Sequence, residues 1–176
     1  MPDLKAKLLA VLFAAGRPVG LKEFKALGYP EKTLLRALGA LEAELREGHL
    51  GVALEQVAGG WRLLVHEGVL EAVEKVLRPS PPRLSKAALE VLALIAYHQP
   101  ITRAELEAMR GRSVEGVLES LLERGLIRVV GEKEAPGRPK LYGTTARFLE
   151  VFGLNSLEDL PPLGGDREGP PLLLRG

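Results

Sequence analysis

Cysteine is absent from the 176 residues. Its absence excludes disulfide frameworks, zinc ribbons and thiol catalysis together, and fits a protein of the reducing cytoplasm. Aromatic residues make up only 5% of the chain, too few for a platform on which single-stranded bases could stack. Charge of one sign is also missing: 24 Lys and Arg face 23 Asp and Glu, so no overall field draws in nucleic acid or an anionic membrane. Long apolar runs are lacking too. One of the longest, Leu89–Tyr97, is broken by Glu90 and is too short to cross a bilayer. The start, Met1-Pro2-Asp3-Leu4-Lys5, has no charged-then-apolar signal region. Amides are scarce as well: Asn155 is the sole Asn, and Gln56 and Gln99 are the two Gln. That scarcity, with abundant Pro, Arg and Leu, fits a thermophile with a G+C-rich genome. With 46% hydrophobic residues the chain can bury a core, so the expectation is a soluble, intracellular, globular protein.

What is present is a repeated plan. Arg78-Pro79-Ser80-Pro81-Pro82-Arg83 cannot continue a helix, because proline lacks a donor and restrains its predecessor. The stretch reads as a stiff linker over 79–83, between a first domain at 1–78 and a second at 84–155. In the second half, Ser85 caps a nearly all-apolar helix to about His98. Thr102-Arg103-Ala104-Glu105 is a capping box opening a short helix to about Arg110. Ser113 caps a third helix, whose Val114, Val117, Leu118, Leu121 and Leu122 recur at helical spacing. Strands at Leu126–Gly131 and Lys140–Thr144 flank a Pro136-Gly137 type II turn, and a closing helix starts near Thr145.

The first half repeats this order: Asp3–Ala15, Leu21–Leu27, Glu31–Glu47, a hairpin turning at Gly59-Gly60, then Val69–Leu77. Leu12, Ala14, Pro18, Glu23 and Ala26 fall on Leu94, Ala96, Pro100, Glu105 and Ala108 at one offset. Gly39, Leu41, Glu42, Leu45 and Gly48 fall on Gly116, Leu118, Glu119, Leu122 and Gly125 at a second. The expected fold class is mainly α with small β-hairpins (α+β), two tandem winged-helix domains joined by a Pro-rich linker. Residues 156–176 read as a short helix capped by Ser156 and a flexible tail.

Chemistry is sparse. His49, His66 and His98 lie in separate elements without a second ligand at metal-binding spacing, and no nucleotide or nucleophile motif occurs. The sequence points to no enzyme, no cofactor and no metal. A winged helix suggests duplex DNA, read by its third helix. Here that helix carries Glu115, Glu119 and Glu123 along one edge, and its counterpart carries Glu42, Glu44 and Glu47. Carboxylates there repel phosphates. Only the second wing leans basic, through Arg128, Lys133, Arg138, Lys140 and Arg147 against Glu132 and Glu134. Direct DNA contact is therefore expected to be weak or absent, and a protein-binding scaffold is favoured over the alternative, a winged-helix DNA-binding transcriptional regulator.

Particular segments carry a family resemblance. They are Leu84-Ser85-Lys86-Ala87-Ala88-Leu89-Glu90, Ile95-Ala96-Tyr97, Gln99-Pro100-Ile101-Thr102-Arg103-Ala104-Glu105 and Arg110-Gly111. Leu121-Leu122-Glu123-Arg124-Gly125-Leu126-Ile127, Gly137-Arg138-Pro139 and Leu141-Tyr142-Gly143-Thr144-Thr145 follow, then Phe148-Leu149, Phe152-Gly153-Leu154 and Asp159-Leu160-Pro161. Together they resemble the segregation and condensation protein B family, densely over residues 84–163 and in layout over the first half. The resemblance implies a non-enzymatic, cytoplasmic, nucleoid-associated subunit of the bacterial condensin. It implies a homodimer, formed chiefly through the first domain, that binds the kleisin (segregation and condensation protein A) and, through it, the chromosome-structural ATPase. Arg138, Leu141, Tyr142, Phe148 and Phe152 are the expected partner-binding residues, and Leu8, Val11 and Phe24 the expected dimer contacts.

Overall fold

The computed structural model describes residues 3–77 and 84–162; the Pro-rich linker and the tail from residue 163 lie outside them. The described residues fall into two compact units, residues 3–77 with Gly153–Asp159, and residues 84–152 with 160–162. The fold is mixed, helices with two small antiparallel sheets.

Unit 1 begins with α1 (Leu4–Ala15), where Asp3 accepts a hydrogen bond from the Ala6 amide at 2.8 Å and so caps the helix. Then come β1 (Val19–Gly20), α2 (Leu21–Phe24, prolonged by a 3-10 turn at Lys25–Leu27) and α3 (Glu31–Glu47). The hairpin strands β2 (Val52–Val57) and β3 (Gly60–Val65) follow, then α4 (Leu70–Leu77). The order of elements is the one expected of a winged helix. Leu34, Leu38, Leu41 and Leu45 line the buried face of α3 and meet Leu8 and Leu12 of α1 with Val19, Phe24 and Leu54. Fully burying each leucine stabilises by about 1.5–3 kcal/mol, so this one stripe dominates the unit.

The hairpin turn is Ala58-Gly59, one residue earlier than the sequence suggests. Both residues have positive φ, +51° and +74°, as a two-residue primed turn requires. Gly60 is already in β3, opposite Val57, and is glycine for another reason: a Cβ there would lie 2.8 Å from the Val19 carbonyl oxygen of β1. The two turn amides donate to the segment at 153–159, Ala58 to the Leu154 carbonyl and Gly59 to the Asn155 side chain, each at 2.9 Å. That segment holds a 3-10 turn at Leu157–Asp159 where the sequence suggests a helix. Asp159 accepts from the Asn155 and Ser156 amides and holds the turn closed.

Unit 2 repeats the plan with α5 (Lys86–His98), β4 (Ile101–Thr102), α6 (Arg103–Arg110), α7 (Glu115–Glu123), β5 (Ile127–Glu132), β6 (Lys140–Thr144) and α8 (Ala146–Phe152). Ser85 caps α5 through the Ala88 amide at 3.1 Å. α7 starts two residues after Ser113, because Val114 is the N-cap and its side chain is buried in the core. Val91, Leu92, Ile95, Leu106, Leu118, Leu121, Ile127 and Phe148 form that core. Both sheets run in the same order, the short strand on one edge and the second hairpin strand in the centre: β1-β3-β2 and β4-β6-β5. The Gln99 side chain ties α5 to β6, accepting from the Thr144 amide at 2.8 Å and donating to the Ala96 carbonyl at 3.1 Å. It lies so close to β6 that a Cβ on Gly143 would fall 2.9 Å from its oxygen.

Both units fix the strand-to-helix corner with a carboxylate. Glu105 accepts from the Thr102 amide at 2.9 Å and hydroxyl at 3.0 Å and pairs with Lys133. Glu23, at the corresponding place, accepts from the Gly20 amide at 3.0 Å and pairs with Arg17 at 2.6 Å. The Lys133 ammonium first, then the Thr102 donors, lower the Glu105 carboxyl from 4.5 to about 2; the Arg17 guanidinium and the Gly20 amide lower Glu23 equally.

Two outcomes follow from this packing. Leu38→Ala should destabilise unit 1 by about 2–5 kcal/mol, measured by amide hydrogen exchange across α1 and α3. A carboxylate depressed in the folded state contributes stability that is complete above its unfolded value and lost as pH falls through its folded one. Denaturant midpoints of the wild type should thus fall between pH 4.5 and pH 2, and Glu105→Gln should flatten part of that fall.

Candidate protein-docking surfaces

The sequence gives α1 an unusual makeup. After Lys7 it runs Leu8-Leu9-Ala10-Val11-Leu12-Phe13-Ala14-Ala15 with no polar residue, and a helix apolar all round needs covering on every side. Leu8 and Leu12 face the core, and Leu4, Leu9, Val11 and Ala15 pack partly against it. The remaining face, Ala6, Ala10, Phe13 and Ala14, is exposed, and Phe13 keeps 81% of its surface open. α4 is the second such element. Leu70, Val73, Val76 and Leu77 share one side of it against Glu71, Glu74 and Lys75, yet none of its residues is buried and Val76 is 79% exposed. Leu50, just before β2, is likewise open.

Two of the three expected dimer contacts lie in the interior of unit 1. Leu8 is 0% and Phe24 1% exposed; Phe24 packs edge-on against Trp61, ring centres 6.4 Å apart. Both pack into the core of unit 1. Val11 is half-buried against the same core. Sequence reasoning missed Phe13, although the missing polar face of α1 was a signal for it.

In unit 2 the expected partner residues do not form one surface. Arg138 is exposed in the loop before β6, at φ +43°, its guanidinium 3.3 Å from Glu132. Leu141 and Tyr142 are half-buried on the central strand β6. Phe148 is buried in the core, its ring 4.9 Å from that of the half-buried Phe152.

The acidic edges lie where the spacing puts them. Glu115, Glu119 and Glu123 of α7 are all exposed, and Glu115 pairs with Arg103 at 2.9 Å. Glu42, Glu44 and Glu47 of α3 are exposed too, Glu44 paired with Lys5. Among the described residues, no group of three or more His, Cys, Asp or Glu converges on a point that could hold a metal ion. His66 accepts from the Gly68 amide at 3.1 Å as a local cap, while His49 and His98 are exposed. No helix of the described residues is long and apolar enough to cross a membrane.

Known proteins are similar to this chain. The profile of the family described as segregation and condensation complex subunit ScpB matches residues 6–163. A segregation and condensation protein B from Symbiobacterium thermophilum is 46% identical over 171 residues, covering 97% of this chain and 78% of that protein. Among solved structures, ScpB from Mycobacterium tuberculosis is 36% identical, over 88% of this chain and 99% of that one, with a TM-score of 0.41. A dimer of the ScpB N-terminal domain complexed with ScpA peptide is 26% identical over 41% of this chain and 91% of that one, with a TM-score of 0.40. A profile matched across most of the chain, and a relative this similar over nearly all of it, place the chain in the segregation and condensation protein B family.

Proposed function

We propose that this chain is a non-catalytic subunit of the bacterial condensin. It dimerises through its first unit and clasps the kleisin, segregation and condensation protein A, supporting chromosome condensation and segregation at the nucleoid. One observation carries the reading: unit 1 leaves apolar side chains on α1 and α4 standing in solvent, Phe13 and Val76 foremost. Isolated exposed hydrophobics are ordinary, but two helices that each leave an apolar side open are the mark of a surface made for another polypeptide. A stable homodimer buries upwards of about 1,000 Å² in all. The flat, charge-free face of α1, with small Ala6 and Ala10 beside a projecting Phe13, suits self-packing around a two-fold axis.

The acidic edges of α3 and α7 support the protein-binding side of this reading, since they would meet phosphates with like charge. A member of the complex should co-elute with its kleisin at high salt, and duplex affinity should be near zero at physiological salt. A steep fall of DNA affinity with salt would instead mark a gene regulator. Phe13→Asp should shift the protein from dimer to monomer in sedimentation equilibrium while changing folding stability by no more than about 0.5 kcal/mol, as befits an exposed position. A variant that stays dimeric places the dimer contact elsewhere.

A further inference from the structure

The two hairpins close their tips in different ways. In unit 2 the loop at 133–139 satisfies itself: the Lys133 amide donates to the Pro139 carbonyl, Ala135 to Lys133 and Arg138 to Ala135, each at 2.9 Å. The two-residue turn of unit 1 has no room for that. The amides of Ala58 and Gly59 lie between the paired Val57 and Gly60, with no cross-strand carbonyl to take them. Their acceptors are supplied by residues 153–159, which follow α8 in the chain.

Three features make this segment a ligand of the tip. It holds its own shape: Asp159 accepts from the Asn155 and Ser156 amides at 2.9 and 3.0 Å, and Ser156 Oγ from the Glu158 amide at 3.2 Å. A turn formed in advance loses little freedom on docking. Its grip is small. Leu154 is buried, whereas Gly153, Asn155, Leu157, Glu158 and Asp159 are exposed, and the leucine-rich cluster that closes unit 1 includes none of them. Its entry is a swivel, Gly153 at φ +66°, a left-handed conformation that glycine adopts freely. Composition adds a fourth feature. Asn155 is the sole asparagine of a chain poor in amides, and its side-chain oxygen accepts from Gly59 at 2.9 Å. An aspartate there would accept as well, but its charge would stand near Asp159, whose carboxylate already holds the Asn155 amide.

We propose that the hairpin tip of unit 1 is a peptide-binding site filled by residues 153–159 of the same chain, which leave and return while unit 1 stays folded. The ligand it selects is a short turn with an apolar anchor (Leu154), a neutral side-chain acceptor (Asn155) and a carboxylate four residues further on (Asp159). When the segment leaves, the two amides pass to water, so the opening needs no rearrangement of the core. The tip is closed to other chains while its own segment sits there. None of this depends on which polypeptide covers α1 and α4.

The test is hydrogen exchange followed by NMR on the full chain. The Ala58 and Gly59 amides should exchange at least roughly tenfold faster than the buried stretch of α3, through an opening that leaves α3 protected. Asn155→Ala should speed exchange at the tip about fivefold and Leu154→Ala roughly tenfold or more, with α3 unchanged. Asn155 is exposed, so its variant keeps the test open should Leu154→Ala lose the fold. A synthetic peptide of residues 153–160, at the millimolar concentration that matches a tethered segment, should restore protection in either variant. The same peptide carrying Asn155→Asp should bind about fivefold more weakly. Exchange of the two amides only together with α3 makes the segment a fixed part of unit 1 and overturns the proposal. So does lost protection that added peptide fails to restore. Wild-type protection at the tip that falls on dilution assigns the site to the segment of a second copy, and overturns occupancy by the same chain.

Discussion

Each unit is held by one row of leucines on its third helix, and every neighbouring element is arranged to cover that row. Leu34, Leu38, Leu41 and Leu45 do this in unit 1, and Leu118 and Leu121, entered through Val114, do it in unit 2. Domains of this size bury only about 60% of the surface their unfolded chains expose. Once the third helix, the first helix and the sheet have closed on each other, little is left to cover anything added later. α4 shows the result: its pattern is amphipathic like that of α3, yet none of its residues is buried within the described residues. The small core and the bare apolar helices are two sides of a single limit.

That limit explains how a fold associated with nucleic acid can serve protein assembly. The helix that would lie in a groove is edged with carboxylates in both units, and cations gather on the second wing instead. There Lys133 pairs with Glu105 and Arg138 with Glu132.

Much of this was legible in the sequence. The capping box at Thr102-Glu105, the Ser85 cap, the leucine periodicity and the Pro136-Gly137 turn act over three or four residues, and chain-local physics places them. What was missed depends on partners far along the chain. Gly59-Gly60 reads as a turn until β1 brings the Val19 carbonyl against Gly60, which moves the turn to Ala58-Gly59. Ser113 reads as a cap until the core claims Val114. Leu8 and Phe24 read as equivalent to Phe13, because an apolar residue carries no mark of which side of its helix the core will take. For the same reason the exposed side chains of β5 could not be told from the more buried ones of β2. Both are six-residue strands at the same place in the order, and packing alone separates them.

The attachment of residues 153–159 to unit 1 has a bearing on biosynthesis. The hairpin amides of Ala58 and Gly59 find their acceptors on Leu154 and Asn155, some 96 positions downstream in the latter case. As the chain leaves the ribosome, the earlier unit therefore stays short of two acceptors until its sibling has been made. A protein cut at the proline-rich junction would yield an amino-terminal fragment whose hairpin amides turn to water in place of Leu154 and Asn155. Gene fusions and truncations in this family should be drawn with that stitch in mind.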